Sequence, residues 1–137
     1  CIRDSIQSVL SQDKMIAGAF RLAINAQGWG YRLVELGANL RSKLLNLPYG
    51  DQALFMHRDA YFAAGGFPGQ PIMEDVALVM RLQRLGRIGI TSACVTTSAR
   101  RWQQHGLVRT TLINQLMLLG RAFRIAPDRL AQWYYRR

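Results

Sequence analysis

Glu74-Asp75-Val76-Ala77-Leu78-Val79-Met80-Arg81-Leu82-Gln83-Arg84-Leu85, then Gly86-Arg87, then Ile88-Gly89-Ile90-Thr91-Ser92-Ala93-Cys94-Val95-Thr96-Thr97: this stretch decides the fold class. Its first part predicts a helix. Two acids open it, where the helix dipole favours negative charge. Arg81 and Arg84 lie near its end, and Gly86 stands where a left-handed cap belongs. The second part alternates and is rich in β-branched residues, which predicts a strand over residues 88–97.

The same alternation of elements continues on the N-terminal side. Ile2, Ile6, Val9 and Leu10 recur at helical spacing. Phe20, Leu22 and Ile24 fall on one side of a strand over residues 19–25. After a turn at Gln27-Gly28, Trp29, Leu33, Leu36, Leu40 and Leu44 trace an apolar stripe, which predicts an amphipathic helix closed by Pro48 and Gly50. Residues 52–56 make a short strand candidate, and Asp59 is placed to cap a brief helix ended by Gly65-Gly66. On the C-terminal side, a helical region begins near Val108 with Leu112, Ile113, Leu116, Met117 and Phe123 on one face. Pro127 interrupts it before a short basic, aromatic helix. Strands alternating with helices indicate an α/β domain with a mixed sheet and flanking helices.

Composition narrows the class further. The chain has 137 residues, half of them hydrophobic, with 18 basic and 8 acidic side chains for a net charge of +10. Half apolar is enough to offset chain entropy, so the chain is not of the disordered class. No apolar run reaches the ~18 residues that span a bilayer. Cys1 and Cys94 have neither disulfide-framework nor metal spacing, so a reducing, cytoplasmic compartment is the default. The first residue is Cys1 and helical patterning starts at once, so an upstream segment is expected. All basic residues but Lys14 and Lys43 are arginine, which suits bidentate contact with phosphate. A GC-rich coding sequence produces the same bias.

Three constellations carry candidate chemistry. Gly65-Gly66-Phe67, six residues, then Glu74-Asp75 brings two carboxylates to a helix start, where one is placed to take a proton from a hydroxyl. The same pair complements a helix dipole, and spacing alone favours that simpler role. In Pro48-Tyr49-Gly50-Asp51-Gln52, Gly50 permits close approach of backbone to a ligand, and Asp51 and Gln52 are able to bond sugar hydroxyls. A turn into a strand explains the same residues, and spacing alone favours that simpler role. In Thr96-Thr97-Ser98-Ala99-Arg100-Arg101-Trp102-Gln103-Gln104-His105, Arg100 and Arg101 suit a diphosphate, Trp102 offers an apolar face, and His105 is a candidate metal ligand or a surface residue.

Taken together, Gly65-Gly66-Phe67 with Glu74-Asp75 and Leu78, Arg81, Leu82 and Gly86 resemble the second half of family 2 glycosyltransferases. Residues 49–55 and 96–102 resemble the small bacterial subgroup associated with radical-SAM and selenium-domain proteins, and the likeness extends from about Ala17 to Arg137. The resemblance implies a GT-A (Rossmann-like) fold, a nucleotide-sugar donor and a divalent metal, Mg²⁺ or Mn²⁺. It implies Asp75 as general base with inversion at the sugar carbon, Arg101-Trp102 beside the departing diphosphate, and His105 as the one candidate placed to complete a metal shell. The family has Gln three residues before this arginine, where this chain has Ser98. The family's nucleotide-cradling first strand and Asp-x-Asp metal motif are both missing from this sequence. The chain is therefore expected to be a single partial domain over residues 1–137, the acceptor-side half, inactive by itself.

Half of a sheet exposes an edge and an apolar face, so self-association is expected. Two other partners follow from the charge. The stretch from Leu107 to Arg137 combines an apolar face with several arginines, as interfacial helices do, so contact with the inner face of a membrane and a lipid-linked acceptor are expectations. A basic module binding nucleic acid by charge and stacking is the alternative. No RNA- or DNA-binding motif accompanies the charge, so nucleic acid is not the expected partner.

Overall fold

The computed structural model of the chain describes residues 1–135. In chain order the elements are α1 (Ile2–Leu10), β1 (Met15–Asn25), α2 (Trp29–Leu45), a 3-10 turn (Gly50–Gln52), β2 (Phe55–Met56), α3 (Arg58–Ala63), α4 (Glu74–Leu85), β3 (Arg87–Ser98), α5 (Arg100–His105), α6 (Leu107–Ala122) and α7 (Pro127–Tyr135). The protein is α/β, with a three-stranded mixed sheet in the order β2-β1-β3 flanked by helices. Arg136 and Arg137, part of the basic C-terminal cluster, lie outside the described residues.

β1 is central, and its composition explains why. Ala17, Ala19, Phe20, Leu22 and Ile24 are all buried, as expected of a strand covered on both faces. It pairs in parallel with β3 along its whole length, from Met15 opposite Arg87 to Asn25 opposite Ser98. It pairs antiparallel with β2 only at Ala17 and Gly18. Ala17 and Ile88 pack with Leu78, Val79 and Leu82 of α4 and Ala64 after α3. Leu22 and Ile24 pack with Ala99 and Trp102, joined by Tyr31, Val34 and Ala38 of α2. Burying a leucine as completely as Leu78 or Leu82 contributes about 1.5–3 kcal/mol.

Beyond Gly18, the β1 edge away from β3 has no strand beside it, and α2 supplies the missing partners. The backbone N–H of Leu22 donates to Asn39 Oδ1 at 2.8 Å, and Asn39 Nδ2 donates back to the Leu22 carbonyl at 3.0 Å. The Ile24 N–H donates to Glu35, and Arg32 donates to the Ile24 and Ala26 carbonyls. Gln52 Nε2 donates to the Phe20 carbonyl. An edge that pattern reasoning leaves open is thus closed by side chains, each meeting a backbone group that would be costly to leave unpaired.

This arrangement reverses the expected orientation of α2. The helix spans the whole predicted stripe, from Trp29 to Leu45. Its inward face, however, is the one carrying Glu35, Asn39 and buried Ser42, and the apolar stripe points to solvent: Trp29 is 80% exposed and Leu40 51%. The stripe on α6 behaves alike. Leu112, Leu116 and Phe123 are exposed, and of the expected face only Met117 is fully buried.

Three local expectations also change. Gly86 is fully extended (φ 178°) rather than left-handed. Its lack of a side chain serves close approach, since a Cβ there would lie 2.8 Å from Ile16 Cγ2. His57, not Asp59, precedes the first turn of α3. The segment after β3 folds into α5, which a left-handed Gly106 (φ 84°) divides from α6.

Candidate functional site

Asp75 sits in the first turn of α4, one turn before Leu78 and Val79 and two before Leu82. Those three side chains are fully buried, so Asp75 lies on the helix's inward face at its open end. Glu74, one residue earlier, is exposed. Met73, with left-handed backbone (φ 59°) in a non-glycine residue, turns the chain sharply into the helix. Because α4 passes almost directly into β3, its N-terminus lies toward the carboxyl ends of the parallel strands, where α/β proteins place their sites.

The Asp75 carboxylate is held by backbone. Its Oδ2 accepts the Gly50 N–H at 2.7 Å, and its Oδ1 accepts the Val76 N–H at 2.8 Å. A Cβ on residue 50 would stand 3.0 Å from Oδ2, a tight contact, so Gly50 eases this approach. Each carboxylate oxygen keeps a lone pair for another proton. The surrounding cavity, of about 480 Å³, is lined by Tyr49, Gly50, Asp51, Glu74, Asp75 and Arg101, with Phe67, Tyr134 and Tyr135 at its walls.

Two further cavities adjoin it. One, of about 410 Å³, shares Arg101, Asn114, Tyr134 and Tyr135 with the first and adds His105, Arg109 and buried Thr110. The other is a groove of about 360 Å³ between α2 and α6, which shares Tyr49, Asp51 and Asn114 with the Asp75 cavity. Trp102, only 8% exposed, lies in the floor of this groove.

Arg41, Tyr49 and Asp51 form a titratable cluster where groove and cavity meet. The Arg41 guanidinium stacks 3.6 Å above the Tyr49 ring. Burial pushes the Arg41 pKa down, against the pull of Tyr49, Asp51 and Asp75. Burial also raises the Tyr49 phenol to about 12; Arg41 opposes this, and Asp75 and Asp51 add to it. The Asp51 carboxyl is raised as well, mainly by burial and further by Asp75, with Arg41 opposing. Water still reaches Asp51, which limits that effect.

The expected site residues therefore divide. Asp75, Glu74, Gly50, Asp51 and Arg101 share one cavity, and Trp102 lines the groove beside it. Gln52 serves the fold instead of a ligand. It is fully buried and lines none of the three cavities, and its amide is taken by the Phe20 carbonyl, Ser42 Oγ and the Tyr49 N–H. Arg100 is exposed and lines none of them either; its N–H donates to Ser98 Oγ. His105 is in the neighbouring cavity, apart from both carboxylates. Among the described residues no three His, Cys, Asp or Glu side chains gather as a metal shell, and the resemblance places the main ligands of the Mg²⁺ or Mn²⁺ outside this sequence, with His105 only completing them.

Sequence reasoning missed Arg41, Asn114, Thr111 and the positions of Tyr134 and Tyr135. Asn114 offered a signal, as a polar residue within an apolar helical stretch. Arg41 offered none once the leucine stripe was read as the inward face. In comparisons with models of known protein families, with curated proteins and with solved structures, no match to the chain was found.

Proposed function

We propose that the chain is the acceptor-side portion of a GT-A glycosyltransferase, moving a sugar from a nucleotide-sugar donor to an acceptor hydroxyl. Asp75 takes the hydroxyl proton. The acceptor oxygen then forms its bond to the anomeric carbon from the face opposite the leaving group, which gives inversion. The carbon–oxygen bond to the diphosphate breaks, and its electron pair leaves with the nucleoside diphosphate. Arg101, on the wall between two cavities, and Arg109 beside it are the cations that would meet the developing charge.

The observation that carries this reading is the fixed Asp75 carboxylate. It has a protein-imposed orientation, unused lone pairs and an arginine on the same cavity wall. A carboxylate that only completed a helix dipole would need no hydrogen bond from a backbone N–H 25 residues away. Replacing Asp75 by Asn in the complete protein, with donor binding measured alongside turnover, tests the reading.

A second reading, contact with an anionic membrane surface, is favoured by the exposed apolar stripes of α2 and α6 on a chain of net charge +10. No helix among the described residues is long and apolar enough to cross a membrane. Co-sedimentation with anionic vesicles at low salt tests it, and absence of binding removes it.

A further inference from the structure

The groove between α2 and α6 has two unlike ends. Its mouth is apolar: Trp29 and Leu33 of α2 face Leu107, Val108 and Leu112 of α6, and all but Leu107 are largely exposed. Its inner end is polar and unsatisfied. Buried side-chain polar atoms without a partner are uncommon, because each forfeits its hydrogen bonds to water. Five are found among the described residues, and four of them belong to side chains lining this one groove: Arg41 Nη2, Tyr49 Oη, Trp102 Nε1 and Thr111 Oγ1.

All four groups donate hydrogen bonds, and the indole and guanidinium do nothing else. Arg41 makes no direct ion pair, those among the described residues being Cys1–Asp4 and Arg32–Glu35; its Nε donates to the Leu47 carbonyl, and Asp51 in the same groove acts on its charge without contacting it. Four unpartnered donors lining one groove, beside a cation that no carboxylate contacts, suit an oxygen-rich anion. An apolar mouth continuous with that end calls for a hydrocarbon chain on the same molecule.

We propose that this groove binds an amphiphile, its anionic, oxygen-bearing head at Arg41, Tyr49, Trp102 and Thr111 and its single apolar chain between α2 and α6. Under the transferase reading the amphiphile is the acceptor, because Tyr49 and Asp51 are shared with the Asp75 cavity and a hydroxyl on the head would be carried toward it. That assignment rests on the transferase reading; the binding does not.

The test is direct binding, independent of turnover. Calorimetry with lysophosphatidic acid below its micellar threshold is compared with glycerol phosphate, which is the head alone, and with a monoacylglycerol, which lacks the phosphate. Lysophosphatidic acid is expected to bind saturably, and the other two about 10–100-fold more weakly. Gly37→Leu is the steric test. Gly37 lines the groove, a Cβ there meets nothing within 4 Å, and leucine is the better helix former, so the variant folds with the groove filled. Gly37→Leu and Arg41→Gln should each weaken binding by about tenfold or more. Presenting the same lipid in phosphatidylcholine vesicles distinguishes the source: capture from vesicles identifies a bilayer lipid, capture only from solution a soluble one. Binding undiminished by Gly37→Leu, or equal binding of glycerol phosphate or the monoacylglycerol, overturns the proposal.

Discussion

The backbone N–H of Gly50 reaches Oδ2 of Asp75 at 2.7 Å, tying the turn before β2 to the first turn of α4. This contact orients the proposed general base, and it is made close by the lack of a side chain at residue 50. Gly50→Ala places a methyl group 3.0 Å from that oxygen, so either the turn or the carboxylate must shift. A misplacement near 1 Å costs on the order of 10²-fold in rate. The shift needed here is a few tenths of an ångström, so turnover of the variant should fall by less than that while its unfolding midpoint changes little; wild-type turnover would show the contact to be incidental.

The outward face of α2 leads to a contrast between neighbouring residues. Leu40→Gln alters an exposed side chain and should change stability by no more than about 0.5 kcal/mol. Asn39→Leu removes both partners of the Leu22 backbone and should cost about 1–3 kcal/mol for each group left unpaired. Denaturant unfolding of the two variants measures this directly. The reverse ranking would mean that the leucine stripe is the buried one after all.

Self-association is read on the same surface. The expectation is that the chain sediments as more than a monomer and that Leu36→Gln with Leu40→Gln shifts it toward the monomer. A monomeric wild type contradicts it.

Tyr49 carries a pH signature. Its phenol is raised from 10.0 to about 12, so the fold favours the neutral form. The stability this contributes is complete below pH 10 and is lost as pH rises from 10 through about 12. A spectrophotometric titration of the native protein should show one of its five tyrosines ionising late, and that component should vanish in Tyr49→Phe. Absence of such a late component would refute the burial of the Tyr49 phenol.

What could be read in advance depended on whether one periodicity had one meaning. α4 was legible because most of its apolar residues are buried against the sheet, as the pattern assumes, β3 because β-branched residues favour a strand, and α1 runs over the residues its spacing marked. α2 and α6 were legible in length and not in orientation. A leucine stripe marks a face that avoids water or awaits a partner, and the sequence does not say which. The open edge of β1 chose Asn39, Glu35 and Arg32 instead. α5 went unseen because six residues rich in Arg, Gln and His carry almost no apolar period, and its only buried residue is Trp102. The position of Asp75 in the first turn of α4 was legible from the sequence. The Arg41, Tyr49 and Thr111 environment was not, since it arises where three separated segments meet.

The most direct measurement is steady-state turnover of Asp75→Asn in the complete protein, with donor affinity measured in parallel. The account predicts a fall of about 10²–10⁴-fold with donor binding retained. Unchanged turnover would return Asp75 to the role of a helix-end carboxylate and contradict the account.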